Sequence, residues 1–222
     1  MKTIALYSGE FSIAGKKVKK RLDEFKFDYN IIDEKDVSKN KGLSKYKLII
    51  FPGGHHVKVG KKGDKNVKEY VRNGGNFLGI CAGMHYGCDL KLLDTDIMYM
   101  RGSGYYQIRL LKKHPLTEGY ELAPKSPLIH KTWSPVEFST KGRVHTRRGN
   151  GGLIIPGKNV DVIATYDDSD KYAAIVSGEF EKGKVVLISP HPESSEEPDK
   201  NDKGQGSNAL NLFVNTINYL TK

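Results

Sequence analysis

Short apolar runs alternate with stretches of helical spacing along the N-terminal part of the chain, and this alternation most narrows the fold. Residues 3–7 (Thr-Ile-Ala-Leu-Tyr), 28–32 (Asp-Tyr-Asn-Ile-Ile), 47–51 (Lys-Leu-Ile-Ile-Phe) and 76–80 (Asn-Phe-Leu-Gly-Ile) each have the length and near-continuous apolar character of a strand buried on both faces. Between them, 14–26 carries Val18, Leu22 and Phe25 at helical spacing. The stretch 64–73 carries Val67, Tyr70 and Val71, with Asp64 as the expected N-cap and Gly74-Gly75 as the stop. Strands that alternate with helices in this way connect through right-handed βαβ units, so the expected class is α/β with a parallel sheet.

The pattern changes over about 91–150. Short β-like pieces (Ile97–Met100, Tyr105–Leu111, Leu128–His130, Gly142–His145) stand between Gly, Pro and Ser, and read as an antiparallel or irregular insertion. Regular strands resume at 152–155, 160–166, 171–179 and 183–189. A polar, loop-like stretch, 193–206, precedes a closing helix at about 207–220. Ser207 is its expected N-cap, and Leu210, Phe213, Val214, Ile217 and Leu220 its buried face. A chain of 222 residues suits one sizeable domain, and 1–222 is read as one, with no internal repeat or linker.

Composition removes several function classes. The net charge is +10, but the lysines are scattered (Lys16–Lys20, Lys58–Lys65, Lys112-Lys113, Lys182, Lys184) among acids, without recognition-helix, zinc-finger or stacking motifs. They read as a solvated surface, and no nucleic-acid partner is expected. No run approaches the roughly 20 apolar residues that span a bilayer, so no membrane partner is expected. The N-terminus runs into a strand and breaks at Ser8-Gly9-Glu10 rather than forming a signal peptide, which makes the cytoplasm the expected location. Cys81 and Cys88, two helical turns or about 10 Å apart, are too distant for a disulfide. With no Cys/His pairs at metal spacing, neither a metal nor an organic cofactor is expected.

Three short motifs carry the chemistry, each just beyond an expected strand end. Gly79-Ile80-Cys81-Ala82-Gly83 is the cysteine form of the nucleophile elbow. A strand-to-helix turn this tight strains the nucleophile's backbone and requires small neighbours two positions either side. It also sets the sulfur at a helix N-terminus, whose N–H groups favour thiolate. Phe51-Pro52-Gly53-Gly54 lets a backbone N–H from Gly53 or Gly54 turn toward a neighbouring site and form an oxyanion hole with the Ala82 N–H. Alone it is an ordinary Pro-Gly turn. His191-Pro192-Glu193 supplies a base and its orienter: in an extended segment i and i+2 point the same way, so Glu193 can steady His191 while its other ring nitrogen faces the sulfur. Alone it is a surface turn.

In this order and spacing, Phe-Pro-Gly-Gly, Gly-Ile-Cys-Ala-Gly and His-Pro-Glu resemble the class I glutamine amidotransferase superfamily. The fuller string Gly74–Gly83 most resembles its biotin-protein ligase N-terminal domain branch, whose domains stand alone or ahead of a biotin ligase. The resemblance implies a doubly wound, mostly parallel, flavodoxin-like sheet. It also implies Cys81 as nucleophile, His191 as general base then acid, and Glu193 as orienter. Two departures weigh against glutamine as substrate. His85 stands where glutamine-using members carry Gln, four residues after the cysteine, and the second glutamine-binding segment is not evident. No ligase domain follows before Lys222, so biotin ligation is not expected of this chain alone, and a partner chain is left open.

The leading expectation is therefore a cysteine-dependent amide hydrolase or amidotransferase-like enzyme acting on a small-molecule or peptide-like amide. A non-catalytic ligand- or partner-binding domain is the alternative. A DJ-1/PfpI-like thiol protein, with Glu10 pressing on Cys81, is another. His85, Tyr86 and His55 are candidate substrate contacts; His56 reads as a loop histidine and Cys88 as core. Arg101, Arg109, Arg147 and Arg148 are candidates for an acidic substrate, though they read most simply as solvated charge.

Overall fold

The computed structural model describes residues 3–39, 42–100, 102–123, 142–149, 151–167, 169–194 and 209–222. The chain opens with β1 (Ile4–Tyr7), α1 (Gly15–Glu24), β2 (Tyr29–Ile32), α2 (Glu34–Ser38), β3 (Leu48–Phe51), α3 (Gly60–Arg72), β4 (Asn76–Ile80) and α4 (Ala82–Asp89). It continues through β5 (Thr95–Met98), β6 (Gly104–Leu110), β7 (Arg143–Arg148), β8 (Leu153–Pro156), β9 (Asp161–Tyr166), β10 (Ser169–Phe180), β11 (Gly183–Ile188) and α5 (Leu210–Thr221).

All these strands join one mixed sheet. Its parallel part has the order β2-β1-β3-β4-β11, and the antiparallel strands β10, β9, β6 and β7 extend it beyond β11. β8 pairs with β10 and with β5. The order in the parallel part is that of a flavodoxin-like sheet, with its switch point between β1 and β3. Period-two alternation sorts each strand onto two faces. Ile4, Leu6, Leu48, Ile50, Leu78 and Ile80 pack with α1 and α5. Ala5, Tyr7, Ile49, Phe51 and Phe77 pack with α2, α3 and α4. Two covered faces explain why these strands read as continuous apolar runs, each buried aliphatic contributing roughly 1.5–3 kcal/mol.

Several boundaries differ from the expectation. The helix expected at 64–73 starts at Gly60 with Val59 as its N-cap. Asp64 instead lies inside it and accepts a hydrogen bond from the Tyr86 hydroxyl at 2.9 Å, so its carboxylate serves a tertiary contact rather than a cap. The unforeseen α2 is held by a capping box between Asp33 and Asp36. In α5 the buried positions are Leu212, Phe213, Thr216, Ile217 and Leu220, while Leu210 and Val214 are only partly covered. Thr216 turns inward because its hydroxyl donates to the Leu212 carbonyl, at 2.7 Å, which satisfies it without water. Ser207 and the stretch Leu128–His130 lie outside the described residues.

α4 and β3 approach each other closely in the parallel part. A Cβ added to Gly83 would collide with the Phe51 carbonyl, a backbone group that cannot swing aside. Gly83→Ala should therefore destabilise the fold by about 1–3 kcal/mol, although Ala is the better helix former by about 1 kcal/mol. Denaturant midpoints at unchanged m-value check this; a variant as stable as the parent would show that α4 does not sit so near.

Candidate active site

Four strand ends of the parallel part converge at its carboxyl edge, where sheets of this order bind ligands. β4 runs directly into Cys81, the residue before α4, whose backbone is in the left-handed region (φ 54, ψ −108). A non-glycine residue there is strained, and the surroundings hold it. Its N–H donates to the Ile188 carbonyl at 2.8 Å and its carbonyl accepts from the His85 N–H at 3.1 Å. A Cβ on Gly79 would strike the Gly83 carbonyl, so both flanking glycines are required by contact with backbone.

β11 delivers the imidazole. The His191 N–H donates to the Arg147 carbonyl at 2.7 Å, forming an isolated antiparallel bridge between the two residues. The segment that follows is not extended, as expected from Pro192, but a 3₁₀ turn over Pro192–Ser194. Proline's fixed φ suits the first position of such a turn, where no N–H is needed. Nor is the start of 193–206 a polar loop: Glu193 and Ser194 are buried. The turn brings Glu193 Oε1 to 2.7 Å from His191 Nδ1. Arg21 of α1 anchors it by donating Nε–H to the Glu193 carbonyl at 3.1 Å. Burial works against a charged His191 ring, but the Glu193 carboxylate and a side-chain hydrogen bond with Cys81 outweigh it and push its pKa up to about 10. The Glu193 carboxyl group and the Cys81 side chain thus both act on the one ring.

Gly53 lies against this pair. A Cβ there would collide with His191 Cε1 and come within 3.2 Å of Cys81 Cβ. The N–H groups of Gly53, Gly54 and Ala82 find no backbone acceptor among the described residues. The cavity above Cys81 has a volume of ≈ 590 Å³, and its wall includes Gly54, Ala82, His55, His85, Tyr86 and His191. That volume suits a small molecule.

The remaining candidates separate. Tyr86 packs on Phe51, with ring centroids 4.8 Å apart, and spends its hydroxyl on Asp64. His85 accepts the Gly152 N–H at Nε2, at 2.8 Å, so the neutral ring carries its proton on Nδ1. Burial lowers the His85 pKa, in keeping with that neutral form. His56 stacks on Phe11. Cys88 is buried, and burial pushes its thiol up to about 11. Glu10 is exposed, bonds Glu34 through its backbone N–H, and does not line the cavity. Arg109 and Arg148 are buried rather than solvated: Arg109 pairs with Asp167, and Arg148 lies over the Tyr106 ring at 4.3 Å. Arg147 is on the cavity wall, and Arg101 lies outside the described residues.

One part of the site was missed in the sequence. Gly149, Gly151 and Gly152 cross over Cys81 and His191: a Cβ on Gly151 would sit 3.3 Å from Cys81 Sγ, and one on Gly149 3.6 Å from His191 Nε2. Gly152 is clamped from both sides, its N–H on His85 and its carbonyl accepting from Ser189 Oγ at 2.7 Å. Three glycines within 149–152 were the available signal.

Residues 11–103 match the family described as Biotin-protein ligase, N terminal. The chain is 26% identical over 185 residues to the biotin–protein ligase of Schizosaccharomyces pombe, a match covering 75% of this chain and 28% of the ligase. The curated relatives are longer proteins, of which the matches span 60% and 28%. Among solved structures, the chain is similar to a chain of PurLQS from Thermotoga maritima, with TM-score 0.68, 21% identity, and 99% and 100% of the two chains covered. It is also similar to a glutamine amidotransferase of Thermotoga maritima, with TM-score 0.58, 15% identity, and 87% of this chain and 77% of that one covered. The resemblance read from the motifs is thereby borne out: the fold is class I glutamine amidotransferase-like, and its N-terminal part is similar to the biotin-protein ligase N-terminal family.

Two outcomes are expected. Iodoacetamide at pH 6 should label Cys81 and leave Cys88 untouched, and His191→Ala should slow Cys81 labelling by about tenfold or more, because the thiol loses the ring that would take its proton. Equal rates in parent and variant would show that the ring does not act on the thiol. The second concerns stability. The His191 pKa is raised above its ordinary value, so the stabilisation from the charged ring is full below about 6.5 and is lost as pH rises toward 10. Unfolding midpoints between pH 6 and 10 should fall more steeply for the parent than for His191→Asn.

Proposed function

We propose that the chain is a cysteine-dependent, amidotransferase-like enzyme that cleaves a carbon–nitrogen bond in a small-molecule or peptide-like amide. One observation carries the reading: strained Cys81 and the His191 ring close on the same face of Gly53, and His191 Nδ1 is 2.7 Å from buried Glu193. A thiol, a base and an orienter in this order are what nucleophilic acyl chemistry requires.

In the proposed reaction His191 takes the Cys81 proton, and the thiolate sulfur attacks the amide carbon. The carbonyl π electrons move onto oxygen, where the N–H groups of Ala82 and of Gly53 or Gly54 stabilise the charge. The imidazolium then gives its proton to the amide nitrogen as the C–N bond breaks, leaving a thioester on Cys81 and a free amine. Neutral His191 next takes a proton from water, the hydroxide adds to the thioester, and the C–S bond breaks to release the acid. Glu193 keeps the ring in one tautomer throughout, with Nδ1 donating to Oε1.

Glutamine is not favoured as the amide. His85 Nε2 is occupied by the Gly152 N–H, so the ring offers the cavity a donor only, unlike a glutamine side chain, which offers both.

The test uses an activated acyl donor, p-nitrophenyl butyrate, followed by intact mass. The expected outcome is one butyryl group on Cys81 and turnover that vanishes in Cys81→Ala. His191→Ala should reduce acylation by about 10²–10⁴-fold. Absence of any adduct on Cys81, in a protein that is folded by circular dichroism, would sink the enzymatic reading and leave a ligand-binding domain.

A further inference from the structure

Arg147 sets a positive charge on the cavity wall, and its placement speaks to the substrate. Arg147 is exposed, lines the cavity, and makes no ion pair or side-chain hydrogen bond among the described residues. It is directly opposite His191 in the antiparallel bridge between β7 and the segment after β11. Residues directly opposite in such a bridge send their side chains to the same face, with Cβ atoms about 4.5–5.5 Å apart. The Arg147 guanidinium therefore rises beside the imidazole, on the cavity side.

Two further features point the same way. Arg148, the next residue, is 2% exposed, and its guanidinium lies over the rings of Tyr106 and Tyr166 and donates to the Tyr106 hydroxyl. No carboxylate pairs with it among the described residues, and a buried charge is weakly screened. Among the described residues Asp89 is the one acid on the lining. His85 adds a donor and no acceptor.

We infer that the cavity binds an amide carrying an anionic oxygen group, a carboxylate or a phosphate, which Arg147 holds beside the reacting carbonyl. The inference rests on the reading of Cys81 as the nucleophile of this cavity. A planar guanidinium binds such groups through paired N–H donors, which fixes orientation as well as charge. Held this way, the substrate has its amide presented to Cys81 from the His191 side, where the leaving nitrogen must receive its proton.

The experiment compares two reagents that differ in charge, iodoacetate and iodoacetamide. The rate ratio at Cys81 divides out whatever a substitution does to the thiol itself. Relative to the ratio for free N-acetylcysteine, the parent should favour iodoacetate by about three- to tenfold, less so at high salt. Arg147→Gln should remove most of that preference. A parent ratio equal to that of the free thiol, or an unchanged ratio in Arg147→Gln, overturns the proposal. Protection against iodoacetamide then separates the two anions: succinamate without phosphate indicates a carboxylate, and inorganic phosphate without succinamate indicates a phosphate. Butyramide protecting as well as succinamate also overturns it. Failure of the nucleophile reading is distinguishable, because it shows as uniformly slow Cys81 labelling by both reagents.

Discussion

Everything in the site follows from how closely α4 is pressed against the carboxyl end of β3. The Phe51 carbonyl occupies the space a side chain at position 83 would need, and the Gly83 carbonyl occupies the space for one at position 79. With both neighbours reduced to glycine, the chain can turn from β4 into α4 within one residue. That residue is Cys81, held at positive φ. The strain is distributed rather than relieved, since Cys81 is pinned by the Ile188 carbonyl on one side and the first turn of α4 on the other.

The turn lifts a sulfur over the sheet, and the neighbouring parallel strand supplies what faces it. β11 lies next to β4 in register, Ile188 opposite Ile80, so the residues after each strand emerge side by side. His191 then needs only its own 3₁₀ turn to bring Glu193 beneath it, and α1 reaches across through Arg21 to hold that turn. The antiparallel strands take part as well. β7 pairs with the His191 segment through Arg147, and the glycines after β7 close over the sulfur. This region of the chain thus builds part of the cavity wall, through Tyr99, Arg147 and Gly149.

The clamp on Gly152 shows how polar groups are used here. Its N–H fixes the His85 tautomer, and its carbonyl receives the Ser189 hydroxyl, which in turn is 2.6 Å from the Tyr166 hydroxyl. A buried network whose members are satisfied in this way rigidifies its surroundings. It holds the covering glycines at a set height above Cys81 and leaves His85 able only to donate.

Much of the architecture was legible in the sequence because its causes are local. Apolar runs of strand length, helical spacing and glycine at tight turns announce the parallel part of the sheet, and the three motifs mark Cys81, His191 and Glu193, which do meet. What could not be read was anything set by contacts between distant segments. Asp64 looks like a cap until Tyr86 is seen against it, and Arg148 looks like surface charge until two tyrosine rings cover it. His191-Pro192-Glu193 has the right residues, but its 3₁₀ shape is decided by Arg21 and Arg147 from two other elements. The sequence alone determined which chemical groups are available and the sheet edge they would share, since propensity and periodicity act over a few residues. Only the tertiary structure decided which cation faces the cavity and which is buried behind it, because burial is a property of neighbours brought together by folding.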